Sequence, residues 1–219
     1  MHELETALGY RFSGPGLLEA ALTHRSLARD GAVVHNQRLE FLGDAVLGLM
    51  VADMLYGLYP DAKEGDLSRR LVSLVNGEQL AHIARAMGLQ KHLVMSSSEE
   101  EQGGRTNDSN LEDACEALLG ALYLDGGLDA VRPLIERHWK PLALAQKEAP
   151  KDAKTALQEW VQARGLALPE YVVKSAEGPA HAPDFVIEVR VADKRATGRA
   201  GSKRIAEREA AQALLSQLR

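Results

Sequence analysis

An all-helical N-terminal domain followed by a small α+β domain of order α-β-β-β-α is the fold class that this 219-residue chain predicts. Three observations carry that reading. Apolar residues recur at helical spacing from Glu3 to about Leu144, with little alternation of period two. Further on, Phe185, Ile187, Val189 and Val191 alternate with Val186, Glu188 and Arg190, the pattern of a half-buried strand. The charge changes sign between the two regions: residues 1–146 hold 13 Lys and Arg against 21 Asp and Glu, and residues 147–219 hold 13 against 10, so net −8 and +3 make up the overall −5.

Taken in order, Leu17, Leu18, Ala21 and Leu22 mark one helix, Leu39, Leu42, Val46, Leu47 and Met50 a second, and Leu118, Leu119, Leu122 and Tyr123 a third. Glycine and proline punctuate this region at Gly14–Gly16, Gly57–Pro60, Gly77, Gly88 and Gly126–Gly127, and Ser96–Gly104 reads as a polar, acidic loop. Glu64 stands just before a helix expected from about Asp66, where the helix dipole favours an acid. Residues 1–145 thus form the first domain. The apolar-poor stretch QKEAPKD, Gln146–Asp152, is the expected linker, and residues 153–219 are the second domain. That domain reads as a helix over Lys154–Arg164, a strand at Tyr171–Lys174, the alternating strand, a third strand near Lys194–Arg199, and a closing helix over Ser202–Leu218.

With 45% hydrophobic and 26% charged residues, the chain can bury a sizeable core. Its longest strictly apolar run, Ala45–Ala52, ends at Asp53 and falls far short of the roughly 18–20 residues of a membrane span, so no membrane partner is expected. The opening MHELETALGY carries acids where a secretory signal has a basic and then an apolar region. A single cysteine, Cys115, allows no intrachain disulfide and no cysteine-rich zinc site, which points to a cytoplasmic protein. An acidic region joined to a basic one makes sense if the basic region meets a polyanion and the acids bind a divalent metal that inverts the local charge.

Two sets of carboxylates fit that idea. Glu40 and Asp44 stand four apart in NQRLEFLGDAVL, and Asp113 and Glu116 stand three apart in LEDACEALLGALYLD, so each pair shares a helix face. Like charges at this spacing cost about 0.2–0.5 kcal/mol per pair, and no cation stands at the next turn to offset it. Four carboxylates from two facing helices would form an all-oxygen site for Mg2+ or Mn2+, and the lack of HExxH or clustered His and Cys argues against zinc. One such pair alone is more often solvated surface than a ligand set, and it is the second pair, also in an otherwise apolar helix, that brings the metal reading level with it. His24 reads as a structural hydrogen-bonder and Cys115 as a small packed residue. At the basic end, Ser202 is a good N-cap, yet Lys203 and Arg204 occupy the first turn, where the macrodipole disfavours cations by roughly 0.3–1 kcal/mol. A phosphate backbone arriving there would meet free N–H groups, the dipole and two cations. Trp160, Tyr171 and Phe185 look like core, which argues against a single-strand reader needing exposed stacking platforms.

NQRLEFLGDAVL is similar to the signature of bacterial ribonuclease III, and LTHRSL, EGDLSRRLVSLV and GGRTNDSNLEDACEALLGALYLDGG match further stretches of that family. KTALQEWVQARG and, after the strands, GRAGSKRIAEREAA resemble its double-stranded-RNA-binding domain. The resemblance spans nearly the whole chain in the right order. It implies a homodimeric endonuclease that cleaves both strands of double-stranded RNA, with Mg2+ as cofactor, Mn2+ able to substitute and no nucleotide cofactor. Products with 5' phosphate, 3' hydroxyl and short 3' overhangs follow, in the processing of rRNA precursors and structured transcripts. Position by position, it makes Glu40, Asp44, Asp113 and Glu116 the metal-binding cluster, with Asp44 and Glu116 the indispensable catalytic pair. Phe41 becomes a residue inserted into the partner subunit. Gln37 and Glu64 fall in outer-shell or RNA-binding roles, and Thr155, Gln158, Gln162, His181, Ser202, Lys203 and Arg204 are assigned to the grooves and phosphates of A-form RNA. The chain departs from the family pattern at Gln37 in place of an acid, Glu112 in place of alanine, and Ala153 in place of proline; on the sequence, only the first bears on chemistry. A non-catalytic double-stranded-RNA-binding regulator is the alternative reading, but a protein that only binds RNA has no use for uncompensated acids. A small-molecule metallophosphatase leaves the basic module unexplained.

Overall fold

The structure, a computed structural model, describes residues 2–28, 33–146, 148–150, 152–179 and 183–218. The chain divides into two units, Met1–Pro150 and Lys151–Arg219, each with its own apolar core.

The first unit is helical. Its elements are α1 (His2–Leu8), α2 (Pro15–Leu22), a 3₁₀ turn at Arg25–Leu27, α3 (Gln37–Leu58), α4 (Glu64–Leu74), α5 (Gly77–Ala86), a 3₁₀ turn at Leu89–Lys91, α6 (Ser97–Glu101), a 3₁₀ turn at Gly104–Thr106, α7 (Asp108–His138) and α8 (Lys140–Ala145). Caps explain most of the starts. Pro15 occupies the first turn of α2, the Asn76 side chain accepts from the Gln79 N–H, and Asn107 accepts from the N–H groups of Ser109 and Asn110. The polar stretch Ser96–Gly104 is more ordered than a loop, because the Ser96 side chain accepts from the Glu99 N–H and closes the turn α6. Helix α4 likewise begins at Glu64 itself, two residues earlier than the sequence suggests. Helix α7 bends where Gly126 and Gly127 leave helical geometry, the latter at φ +67°, a conformation that favours glycine.

The two longest helices, α3 and α7, form the middle of this unit, with Val46, Leu47, Met50 and Val51 of one and Leu118, Leu119 and Leu122 of the other buried. By length and composition α3 is apolar enough to cross a bilayer, which a count of unbroken apolar residues misses because Asp44 and Asp53 interrupt it. The structure uses its apolar length otherwise, burying one side in this core. Trp139, fully buried after the end of α7, donates its indole N–H to the Leu74 carbonyl at 3.1 Å and ties α4 to the core.

In the second unit α9 (Ala153–Gln162) and α10 (Lys203–Leu218) pack with an antiparallel sheet of order β1 (Glu170–Glu177), β2 (Asp184–Val191) and β3 (Lys194–Ala200). β1 runs longer at its C-terminal end than its β-branched residues indicate, since its pairing with β2 resumes beyond a register shift between Val173 and Ser175. Ile187, Val189 and Val191 are buried on the helix side. Trp160 and Tyr171 pack partly buried against the core, and Phe185 is half-buried. The close seat of β3 on α10 depends on Gly198, whose added Cβ would stand 2.3 Å from both the Ala206 carbonyl oxygen and the Ala210 nitrogen.

Candidate active site

The four carboxylates singled out in the first unit meet where α3 crosses α7. The crossing is close because both helices offer glycine. A Cβ on Gly43 would lie 1.7 Å from the Glu116 carbonyl oxygen, and one on Gly120 would lie 2.3 Å from the Leu39 carbonyl oxygen. Backbone therefore rests on backbone, and the neighbours of these glycines, Glu40 and Asp44 on one helix and Asp113 and Glu116 on the other, share one locality. Leu39 and Val46 point into the core beside them, while Asp44 is exposed and Glu40, Asp113 and Glu116 are half-buried at its edge.

Their electrostatics show the crowding. Burial pushes the Glu116 carboxyl up to about 8, and repulsion from Asp44, Glu112, Glu40 and Asp113 adds to the effect. Glu40 is raised by burial and by Asp113, and Asp113 by burial. Cys115, enclosed between them in sequence, is fully buried, and burial raises its thiol far above the ordinary value. It is a packed residue and no nucleophile.

Two residues join this neighbourhood that the sequence reading left aside. Glu112 is raised by burial, Asp113 and Asp44, and acts in turn on Glu116 and Glu40, so it is a fifth carboxylate at the cluster. Its carboxylate also lies against the start of α5, within 2.4 Å of where a Gly77 Cβ would stand. Arg25 lowers both Glu40 and Asp113, so a cation does stand near the cluster, brought by the fold from another segment. No helical spacing reveals such a neighbour; for Glu112, adjacency to Asp113 was the available signal.

Of the remaining positions in this unit, Gln37 is exposed in the first turn of α3. Glu64 is exposed at the start of α4, accepts from the Ser68 hydroxyl at 2.8 Å, and does not figure among the groups acting on the cluster. His24 is buried and its Nδ1 accepts from the Ser26 N–H at 3.2 Å, a structural bond. Phe41 is 83% exposed, and with Leu49 at 57% and Tyr56 at 76% it forms an apolar stripe along α3. Core packing is therefore excluded for Phe41 in a single subunit.

Among the described residues no three His, Cys, Asp or Glu side chains close into a metal-ligand set. The carboxylates face one another at electrostatic range. Even so, the donors are all oxygen, and burial together with crowding by neighbouring acids raises their pKa values beyond what Arg25 offsets, which suits a hard divalent cation.

In the second unit Thr155, Gln158 and Gln162 are exposed along one face of α9, whose start is capped by Asp152 accepting from the N–H groups of Lys154 and Thr155. Ser202 accepts from the Ile205 N–H at 3.3 Å, and Lys203 and Arg204 are exposed in the first turn of α10. Lys154 is held internally by Glu207 at 2.5 Å and over the Tyr171 ring. His181 lies outside the described residues.

Residues 14–142 match the family model described as ribonuclease-III-like, and residues 153–218 match that of the double-stranded RNA binding motif. The chain is 50% identical to ribonuclease 3 of Phenylobacterium zucineum (strain HLK1), covering 97% of this chain and 91% of that protein. It is 47% identical to ribonuclease 3 of Anaplasma phagocytophilum (strain HZ), covering 96% and 89%. Among solved structures, the nuclease domain of ribonuclease III from Campylobacter jejuni aligns with a TM-score of 0.60 at 39% identity, covering 65% of this chain and 95% of that one. A second structure of that nuclease domain, described for flexibility in a region involved in dimer formation, aligns with a TM-score of 0.59 at 40% identity, covering 63% and 97%.

Proposed function

The chain belongs to the ribonuclease III family and is an endoribonuclease of double-stranded RNA, and we propose that it hydrolyses each strand at the α3–α7 crossing with the help of Mg2+. The observation that carries this reading is the set of acids gathered on two helices whose backbones touch at Gly43. Glu40, Asp44, Asp113 and Glu116 would hold the cation. Bound there, a divalent ion supplies Lewis-acid polarisation of the phosphodiester and a water of lowered pKa.

The chain's own residues do the rest. Glu116, protonated in part near neutral pH, must give up its proton as it takes up its ligand role, and Asp44 faces it from the other helix. The glycine contact fixes the separation of the two pairs, so positioning comes from backbone and not from flexible side chains. Products carry 5' phosphate and 3' hydroxyl ends with short 3' overhangs. The exposed stripe Phe41, Leu49 and Tyr56 is the docking surface for a second copy, whose own site takes the antiparallel strand. Thr155, Gln158 and Gln162, with Ser202, Lys203 and Arg204, hold the duplex across its minor grooves and the phosphates between them. His181 belongs to the same surface by family pattern. Such a protein works where RNA is made and folded, in the cytoplasm, on rRNA precursors and other structured transcripts.

Incubating the protein with a long duplex RNA, with and without Mg2+, and determining the product ends tests this reading. Metal-dependent two-strand cuts with the stated ends are expected. Glu116→Gln and Asp44→Asn should each lose several orders of magnitude in rate, and near-normal turnover by either would remove the metal-cluster reading.

A further inference from the structure

The carboxylate cluster poses an electrostatic problem that the established parts leave open. Five acids and a polyanionic substrate must come together, and on approach RNA is repelled by the groups that are to act on it. Among the described residues Arg25 lies in the turn that is hydrogen-bonded to the start of α3, where Glu40 stands, and its charge, with that of His24 on Asp113, acts against the acids.

Its position is fixed from two sides. The segment just before it is tied to the start of α3, because the Asn36 N–H donates to the Thr23 carbonyl at 2.9 Å and the Glu40 N–H donates to the Asn36 carbonyl at 2.8 Å. It is tied to the chain near Val94 as well. The His24 N–H donates to the Val94 carbonyl at 2.8 Å, the Val94 N–H to the Leu22 carbonyl at 2.9 Å, and the Ser96 N–H to the Ser26 hydroxyl at 2.9 Å. The Ser26 N–H bond to the His24 imidazole closes the turn on itself. A buried histidine and a buried Asn36 thus clamp the backbone on which Arg25 stands, while the Arg25 side chain is exposed. Among the described residues its guanidinium enters no ion pair and no side-chain hydrogen bond, although Glu40 and Asp113 both feel its charge. Among the described residues nothing takes up its planar set of donors.

Resting on the reading above, we propose that Arg25 is an RNA-contacting residue of the cleavage site, donating from its guanidinium to a non-bridging oxygen of the phosphate that enters the carboxylate cluster. A guanidinium suits that task because its donors match two phosphate oxygens at once and it stays charged beside any carboxylate. The same cation opposes the metal, since it neutralises part of the field that attracts one. Phosphate capture and metal affinity therefore pull in opposite directions at this residue, so its loss should slow cleavage without weakening metal binding, whereas loss of a merely structural arginine should impair both.

The test compares the full-length protein with Arg25→Ala and Arg25→Lys. Two quantities are measured: single-turnover cleavage of a duplex RNA at saturating Mg2+, and Mn2+ binding to the RNA-free protein by calorimetry. Arg25→Ala should cleave about 10- to 100-fold more slowly, the loss of one charge-assisted phosphate contact, with Mn2+ bound as tightly as before or more tightly. Arg25→Lys should recover part of the rate, because a point charge replaces the fork. Wild-type cleavage by Arg25→Ala, or a parallel loss of cleavage and Mn2+ affinity, overturns the proposal. Glu116→Gln in the same two assays separates it from the reading it rests on: if that variant cleaves normally the metal cluster is wrong, whereas the Arg25 assignment stands or falls on its own rate.

Discussion

The two units of this protein are each held by backbone seated against backbone, yet they use the closeness differently. In the first, Gly43 and Gly120 let α3 and α7 touch, and the touching places mutually repelling acids on both sides of the seam. In the second, Gly198 lets β3 lie on α10 against the buried Ala206 and Ala210, while Lys203, Arg204, Thr155, Gln158 and Gln162 stand out in solvent. On the function proposed above, chemistry needs groups whose separation is set to a fraction of an ångström, and the acids assigned to it grow from the tightest seam of the fold. Duplex binding needs a surface that matches a shape and a charge, so its residues can be exposed and mobile.

The largest effect that sharpens this contrast is expected of Gly43→Ala. The new methyl meets a backbone carbonyl that has no side-chain freedom to yield, so the helices must part. Overpacking of this kind costs about 1–3 kcal/mol, and a shift of about 1 Å at the carboxylates slows cleavage about a hundredfold. Denaturant titration and single-turnover cleavage measure the two. Gly198→Ala should destabilise the second unit and weaken RNA binding, leaving the rate of the bound complex nearly intact. If Gly43→Ala were neutral in both measurements, the seam would not be what positions the acids.

Proton linkage gives the next effect. In the folded, metal-free protein Glu116 titrates at about 8 in place of its ordinary 4.5, and Glu40, Glu112 and Asp113 are raised as well. Between those pH values the folded state holds protons that the unfolded state has released, so metal-free stability is fully present below about 4.5 and falls as the pH rises toward 8. On the proposed function Mg2+ would compete with the same protons. Its affinity should climb with pH across this window, proton release on binding should be seen by calorimetry at pH 7, and saturating Mg2+ should flatten the fall in stability. Among the described residues the second unit has no such cluster of raised carboxylates, and produced as residues 151–219 it should show no such slope.

Smaller effects belong to the edges of the site. Glu112→Ala removes a repelling neighbour of Glu116 and a negative charge at the start of α5, so it should lower the pH at which Mg2+ binding is half-maximal and slow cleavage by about tenfold. Gln37→Glu, which restores an acid at an exposed position, should gain less than about a hundredfold across Mg2+ concentrations, the usual ceiling for groups that act through a ligand. A larger gain would place position 37 among the ligands themselves.

Much of this was legible in the chain. The pairs Glu40/Asp44 and Asp113/Glu116 announced themselves by helical spacing, because acids three and four apart share a face regardless of what the helix packs on. The alternation in β2 and the exposed cations of α10 were visible for the same local reason. What was hidden is tertiary. Nothing in the spacing reveals that Gly43 receives the Glu116 carbonyl, that Glu112 reaches the start of α5, or that Arg25, from a turn before α3, lends its charge to acids on two helices. Phe41 shows the converse: set between Glu40 and Leu42, it is compatible with a core, and only the structure turns it outward.

The division of labour between a seam that reacts and a surface that binds is tested most directly by one side-by-side measurement. Duplex binding and single-turnover cleavage are determined at physiological salt for Glu116→Gln and for the double variant Lys203→Glu with Arg204→Glu. The expected result is a crossing of effects: the first variant binds duplex as the parent does and fails to cut it, and the second loses binding steeply with salt yet cuts at close to the parent rate once protein is raised to saturation. Parallel loss of binding and cleavage in both variants would contradict the account.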